Sequence, residues 1–142
     1  MATGVTNKFW LCARPDTRLP PVNIETIAVG AFETNCHLVQ GTTSDVLVID
    51  PGNDADQILR TLRDRHLTVA AYLLTHGHVD HLSAVATMCQ AMPAPVYLHA
   101  KDLPWAFGSD NQVPPYYPRP LPPPESIIPL AEGQEHSDAG LK

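Results

Sequence analysis

Residues 69–81 read VAAYLLTHGHVDH, a short apolar run followed at once by three histidines and one aspartate. The apolar run has the length and composition of a buried strand. Histidine and aspartate are common ligands of zinc, and side chains at positions i and i+2 of a non-helical turn point to the same side. We therefore expect His76 and His78 to bind one ion together, while Asp80 and His81 face a neighbouring ion position, as in a two-metal hydrolytic site. The alternative is a polar loop that is rich in histidine by chance.

The segments before this motif predict strands and a helix. Three β-prone stretches, residues 23–29, 35–40 and 46–49, are separated by Gly30 and by a polar turn, which predicts an antiparallel start to a sheet. After Asp50-Pro51-Gly52, with Asn53 or Asp54 as N-cap, apolar residues recur at helical spacing. They are Ala55, Ile58, Leu59 and Leu62.

The second half of the pattern places the motif at one edge of the sheet. A strand over residues 68–74 follows the helix, and a strand-helix-strand crossover normally gives a parallel, right-handed pair. The motif then leaves the carboxyl end of a strand, where open α/β sheets bind their ligands. A second helix is predicted over residues 82–92 and a further strand over residues 95–99. The isolated histidines His37, His66 and His99 are interpreted as structural.

The pattern His-x-His-x-Asp-His after a buried strand resembles the signature of the metallo-β-lactamase superfamily. Residues 30–39 and 46–52 are similar to the opening of its glyoxalase II-like branch, the hydroxyacylglutathione hydrolases. The resemblance spans residues 23–135. It implies an α/β fold, the N-terminal half of an αββα sandwich, with a mixed sheet and flanking helices.

The same resemblance implies roles for individual residues. His76, His78, Asp80 and His81 would be metal ligands, and Asp80 would also orient the nucleophile. Asp50 and Thr75 would support the ligand side chains without binding the metal themselves. The family uses up to two zinc ions, and iron is also possible.

The resemblance leaves the function open between three hypotheses. The first is a zinc-dependent hydrolase of a small-molecule thioester such as a hydroxyacylglutathione. The second is a non-catalytic fragment or pseudoenzyme with an interaction role, and the third is a relative of the iron-dependent persulfide dioxygenases. In the family a Gly-His-Thr-Pro-Gly-His motif, a bridging Asp and a last His follow a segment like residues 130–133. His136 does not match that motif, so a truncated, catalytically incomplete site with weak metal binding is expected.

Composition and proline content predict the organisation of the chain. Residues 1–22 are expected to be a disordered extension, residues 23–100 a half-domain, and residues 101–142 a proline-rich loop and the start of a second half. Eleven of the fifteen prolines fall between residues 93 and 129. Residues 113–124 are interpreted as a loop beside the site of their own domain, and the alternative is a PxxP docking peptide.

Charge and cysteine content favour a cytoplasmic, soluble protein. The chain has 142 residues and a formal net charge of −6, and its nine Lys and Arg residues form no basic patch, which argues against a nucleic-acid partner. No apolar run reaches the ~20 residues of a membrane span. The cysteines Cys12, Cys36 and Cys89 are expected to be reduced. The apolar strands predict a sheet face that one half-domain leaves uncovered, and hence self-association.

Overall fold

The computed structural model describes residues 21–135 and 139–141. The predicted disordered extension, except for its last two residues, lies outside the described residues, as do Cys12 and His136. The elements in chain order are β1 (Asn23–Val29), β2 (Thr34–Gln40), β3 (Asp45–Ile49), α1 (Ala55–Asp64), β4 (Thr68–Leu73), α2 (Val79–Leu82), α3 (Val85–Ala91), β5 (Val96–His99) and β6 (Ile128–Leu130).

The strands form one six-stranded mixed sheet in the order β1-β2-β3-β4-β5-β6. β1, β2 and β3 pair antiparallel, as their short connections require. β3, β4, β5 and β6 pair parallel, and the β3–β4 connection contains α1. The predicted α/β class, a mixed sheet with flanking helices, is therefore confirmed.

The main core lies between one face of the sheet and the helices α1 and α3. Ile58 and Leu62 of α1 and Met88 of α3 are completely buried in it. Val46 and Val48 of β3 belong to the same cluster, whereas Leu47 between them points to the opposite face, as expected for a strand. The main core of the described residues thus lies on the helical face of the sheet.

The opposite face of the sheet is covered in part by residues 139–141. Ala139 packs against Leu47 and Ala71, and its carbonyl oxygen accepts a hydrogen bond of 3.1 Å from the Gly41 N–H group. Around this cluster the side chains of Val39, Ala70, Leu73, Tyr97 and Leu141 are only half-buried.

We propose that this second face mediates self-association, because burying its remaining apolar surface against another copy is favourable. Sedimentation velocity at rising protein concentration should show a growing fraction of dimer or larger species. Ala70→Glu should reduce that fraction, whereas Gln90→Glu, an exposed change on α3 across the sheet, should not. A monomer at every concentration would contradict the prediction.

Two sequence predictions differ from the structure. The predicted helix over residues 82–92 is divided into α2 and α3, because the Ala84 N–H group donates to the Pro51 carbonyl oxygen at 3.0 Å instead of continuing the helical ladder. Strand β6 was not predicted, because it contains Pro129. A proline lacks the N–H group that a central strand needs, and β6 is an edge strand of this sheet.

The proline-rich segment packs on its own domain. Tyr117, Pro120 and Pro123 are buried within it, and the Tyr117 ring lies 5.0 Å from that of Phe32 in the β1–β2 turn. The Arg119 guanidinium donates to the Phe107 carbonyl oxygen at 3.0 Å. In the described part of the chain, no helix has the length and apolar character to cross a membrane.

Two buried thiols predict a loss of stability at alkaline pH. Burial raises the pKa of Cys36 to about 12, helped by the nearby Asp50 carboxylate, and burial raises the pKa of Cys89 to about 11, helped by Glu125. A raised folded-state pKa gives a contribution that is complete below pH 9 and is lost as the pH rises toward the folded value.

The measurement is denaturant unfolding at pH 8 and at pH 10. Between these values the wild type should lose about 1.4 kcal/mol more of its free energy of unfolding than Cys36→Ala does, since each pKa unit is worth roughly that amount. Equal losses in the two proteins would show that the Cys36 thiol ionises as readily in the folded state as in the unfolded one.

Candidate metal centre

Asp50 organises the base of the candidate centre. It follows β3 with a φ of 52°, a left-handed conformation that aspartate tolerates, and only 4% of its surface is exposed. Its Oδ1 accepts a 2.7 Å hydrogen bond from the Thr75 N–H group, and its Oδ2 accepts one of 2.6 Å from the Thr75 hydroxyl. His81 Nδ1 lies 2.9 Å from the same Oδ2. Asp50 therefore lies within hydrogen-bonding distance of the motif's backbone and of one of its imidazoles.

These contacts select the nitrogen that each imidazole presents. The Thr75 hydroxyl donates its proton to Asp50, so at 3.0 Å it accepts from His76 Nδ1. His81 Nδ1 donates to Asp50 in the same way. In the neutral form of both rings, Nε2 is therefore the nitrogen that carries the lone pair, which is the arrangement in which histidine ligands are usually held.

The four motif residues form two close pairs of metal-donor groups, the candidate ligand pairs. His76 Nε2 lies 3.0 Å from His78 Nδ1, and Asp80 Oδ2 lies 3.4 Å from His81 Nε2. Two donors bound at 2.0–2.1 Å to a tetrahedral zinc ion are about 3.3 Å apart, so each pair has a separation that suits one ion. The rings of His76 and His81 are 4.1 Å apart, which places the pairs side by side.

Imidazole and carboxylate donors of the kind found in these pairs suit zinc as well as iron. Within residues 21–135 and 139–141, no three His, Cys, Asp or Glu side chains converge on a common point. Each pair thus supplies fewer ligands than the three that catalytic zinc normally takes from a protein.

The environment of His76 favours the neutral ring that a metal requires. Burial lowers the pKa of His76 below its ordinary value, and the imidazoles of His81 and His78 lower it further. The carboxylates of Asp50 and Asp80 act in the opposite direction, with smaller effects.

Asp80 and His81 do not lie in a loop, as the sequence suggested, but in the four-residue helix α2. The Thr34 hydroxyl donates to Asp80 Oδ2 at 2.9 Å and fixes that side chain from the start of β2. Gly52 allows the helix to approach the Asp50-Pro51-Gly52 turn closely, because a Cβ at this position would overlap the Asp80 carbonyl oxygen. Neither Thr34 nor Gly52 was predicted as a site residue.

The remaining described histidines stay apart from the pairs. His37 Nδ1 lies 2.9 Å from Thr26 Oγ1, and His99 Nδ1 accepts from the Lys101 N–H group at 3.2 Å. His66 adopts a φ of 54° at the turn after α1. Their contacts agree with the structural interpretation.

Two cavities flank the candidate centre. An apolar one of about 530 Å³ lies between Leu73, Thr75, His99 and Leu130, at the carboxyl end of the parallel strands. The other, of about 420 Å³, is bounded by His78, Trp105 and Asn111. Of the four motif residues, His78 lines the second cavity, and Thr75, which precedes the motif, lines the first.

Comparison with known families gives one match over most of the chain. Residues 29–141 match the metallo-beta-lactamase superfamily. This agrees with the resemblance carried by the His-x-His-x-Asp-His motif.

Among curated proteins, hydroxyacylglutathione hydrolase GloC of Haemophilus influenzae is 38% identical over 69 residues, which is 49% of this chain and 32% of that protein. The hydroxyacylglutathione hydrolase of Hahella chejuensis is 39% identical over 74 residues, covering 51% of this chain and 28% of the relative. The aligned part is thus about a third of these relatives' length.

Among solved structures, the di-iron-bound form of TTHA1623 has 34% identity and a TM-score of 0.67, over 79% of this chain and 56% of that one. BLEG-1 B3 metallo-beta-lactamase has 28% identity and the same TM-score, over 79% of this chain and 54% of the other. The chain therefore spans a little more than half of each of these folds.

Proposed function

Because the chain belongs to the metallo-β-lactamase superfamily, we propose that it provides the first half of the active site of a metal-dependent hydrolase acting on thioesters of the hydroxyacylglutathione class. The observation that carries the proposal is the pair of ligand sets, His76 with His78 and Asp80 with His81, braced by the buried Asp50. The thioester class is supported by the two hydroxyacylglutathione hydrolases that are 38% and 39% identical to the motif-bearing region.

The chain's own residues would hold the ions and orient the reactants. A bound divalent ion supplies Lewis acidity and lowers the pKa of water. His76 and His81 each offer Nε2 because Thr75 and Asp50 occupy their other nitrogens. Asp80, whose Oδ2 accepts a hydrogen bond from the Thr34 hydroxyl, would orient a water molecule toward a carbonyl carbon.

We propose zinc as the metal, with iron as the competing candidate. Imidazole and carboxylate ligands suit both ions, so the donor set alone does not separate them. Zinc agrees with the spacing of the two ligand pairs, and iron is favoured by the di-iron-bound TTHA1623 at 34% identity. Elemental analysis of protein purified from cells, without added metal, distinguishes the two.

The proposed activity is tested with the purified chain loaded with zinc or, without oxygen, with Fe²⁺. Because each pair supplies fewer than three ligands, release of thiol from S-lactoylglutathione should be slow, but it should depend on the metal, exceed that of the free ion, and disappear in Asp80→Ala and His76→Ala. Nitrocefin serves as the comparison substrate for β-lactam hydrolysis. Bound metal without turnover of either substrate would favour the non-catalytic hypothesis, and oxygen uptake with glutathione persulfide would favour the dioxygenase. No bound metal at all would overturn the proposal.

A further inference from the structure

We infer that Asp102 and Asn111 are positioning residues that hold the metal loop, residues 75–81, in its ligand-presenting shape. The inference rests on the proposed function, since it concerns the same candidate centre. Neither residue belongs to the His-x-His-x-Asp-His motif, and neither contacts a ligand ring. They act on the backbone on either side of His78.

Both the nitrogen and the oxygen of the Asn111 side-chain amide form hydrogen bonds to backbone groups. Its Nδ2 donates to the Gly77 carbonyl oxygen at 2.7 Å and also to the Ala106 carbonyl oxygen. Its Oδ1 accepts from the Val79 N–H group at 3.1 Å. One amide therefore joins the residue before His78 to the residue after it, and this fixes the direction in which the His78 ring leaves the backbone.

Asp102 binds the N–H group of Gly77, whereas Asn111 binds its carbonyl oxygen. The Asp102 Oδ2 accepts a 3.0 Å hydrogen bond from the Gly77 N–H group. Asp102 is itself tied to the end of β5, because its N–H group donates to the His99 carbonyl oxygen at 2.9 Å. The metal loop is thus linked to a strand of the sheet other than the one that it leaves.

Steric contact supports the same inference independently of the hydrogen bonds. A Cβ added to Gly77 would lie 3.0 Å from Ala106 Cβ, 3.0 Å from the end of the Trp105 indole and 3.2 Å from Asp102 Cβ. Residues 102–106 therefore sit directly against Gly77, and a side chain there would have to push them away by a few tenths of an ångström. The Trp105 ring also lies 5.5 Å from the His78 ring.

These contacts matter because ligand geometry in a short loop is otherwise poorly constrained. Partners outside the ligand set orient the ligands, and their removal typically costs about 10- to 100-fold in metal affinity. Without Asp102 and Asn111, the Gly77 and Val79 backbone would be free to rotate the His78 ring away from His76. The ligand residues themselves would be unchanged.

The test compares Asn111→Ala and Asp102→Ala with the control Asp110→Ala. Asp110→Ala removes the same charge as Asp102→Ala, but the Asp110 carboxylate is exposed and accepts a hydrogen bond from the Ser109 hydroxyl. Zinc affinity is measured by competition with a chromophoric chelator, and ligand geometry by the visible spectrum of the Co²⁺ form. We expect about 10- to 100-fold weaker binding and an altered Co²⁺ spectrum in the first two variants only. Asp102→Asn, which keeps an acceptor for the Gly77 N–H group, should restore most of both.

Amide hydrogen exchange of the metal-free protein separates this inference from the proposed function. In the wild type the Gly77 and Val79 amides should be protected from exchange. Asp102→Ala should raise the exchange rate of the Gly77 amide by about tenfold or more, and Asn111→Ala should do the same for the Val79 amide. Absence of metal uptake by the wild type would overturn the proposed function alone. Unchanged exchange, or wild-type affinity and Co²⁺ spectrum in both alanine variants, would overturn the positioning role. Should Asn111→Ala fail to fold, Asn111→Asp, which keeps the acceptor for the Val79 N–H group but replaces the donor with a charged oxygen, decides the question.

Discussion

Replacing Asp50 with alanine should weaken zinc binding by about 10- to 100-fold, the usual cost of losing a carboxylate that orients a histidine ligand. The His81 ring would lose the acceptor of its Nδ1 proton, and the Thr75 hydroxyl would lose the partner that directs it toward accepting from His76. One substitution therefore disturbs a ligand in each pair. The partly buried Thr75 N–H group would also lose its partner, which should cost about 1–3 kcal/mol of stability without metal.

Zinc titration against a competing chelator, together with urea unfolding of the metal-free protein, measures both effects. Asp64→Ala is the matched control, because it removes an exposed carboxylate at the end of α1. Asp50→Asn should fall between the two, since an amide keeps one acceptor for Thr75 and loses the charge beside His81. If Asp50→Ala binds zinc as well as Asp64→Ala does, Asp50 does not support the ligands.

The part of the fold that the sequence predicts well has strong local patterns. β1 begins and ends where its β-prone stretch does, and α1 follows the helical spacing of its apolar residues. The prediction that Asn53 or Asp54 is the N-cap of α1 is correct for the position of Asp54, but the Asp54 side chain does not cap the helix. Asp54 precedes α1, but its carboxylate accepts from the Gly30 N–H group at 2.8 Å instead of capping the helix. Tertiary contacts outweigh the local preference there.

The missed features depend on contacts between distant parts of the chain. The break before α3 arises from the Pro51 carbonyl oxygen, 33 residues before the Ala84 amide that it accepts from. No periodicity within residues 82–92 records that contact. Pro129 in β6 similarly argues against a strand, because only the structure shows that β6 lies at the sheet edge, where a proline is tolerated.

The candidate centre shows the same division. Its ligand residues are contiguous, so the spacing of histidine and aspartate in residues 76–81 identifies them. Asp50 was found only through the resemblance of its Asp-Pro-Gly turn. Thr34, Asp102 and Asn111 approach from 25 to 46 residues away and match no metal-ligand spacing, so the sequence alone gives no sign of them.

Among the glycines that the structure describes, Gly52 should be the one least tolerant of replacement by alanine. Gly52 is buried, and an added Cβ would overlap the Asp80 carbonyl oxygen and press on the His81 Cα at 3.4 Å. Both neighbours are backbone atoms of a four-residue helix and have no rotamer through which to yield. Overpacking of this kind costs about 1–3 kcal/mol and sometimes more, and we expect the upper end.

The same methyl group should also displace the ligands, because relief of the overlap requires α2 to move away from the Asp50-Pro51-Gly52 turn. That movement carries Asp80 and His81 together and lengthens the contact between His81 and Asp50. Urea unfolding and zinc titration of Gly52→Ala should therefore both change. Gly133→Ala is the control: its φ of 77° disfavours a side chain by about 1–2 kcal/mol, yet nothing lies within 4 Å of the new Cβ. It should lose some stability and no zinc affinity. Wild-type zinc affinity in a folded Gly52→Ala protein would mean that the position of α2 against this turn does not determine how the second ligand pair is presented.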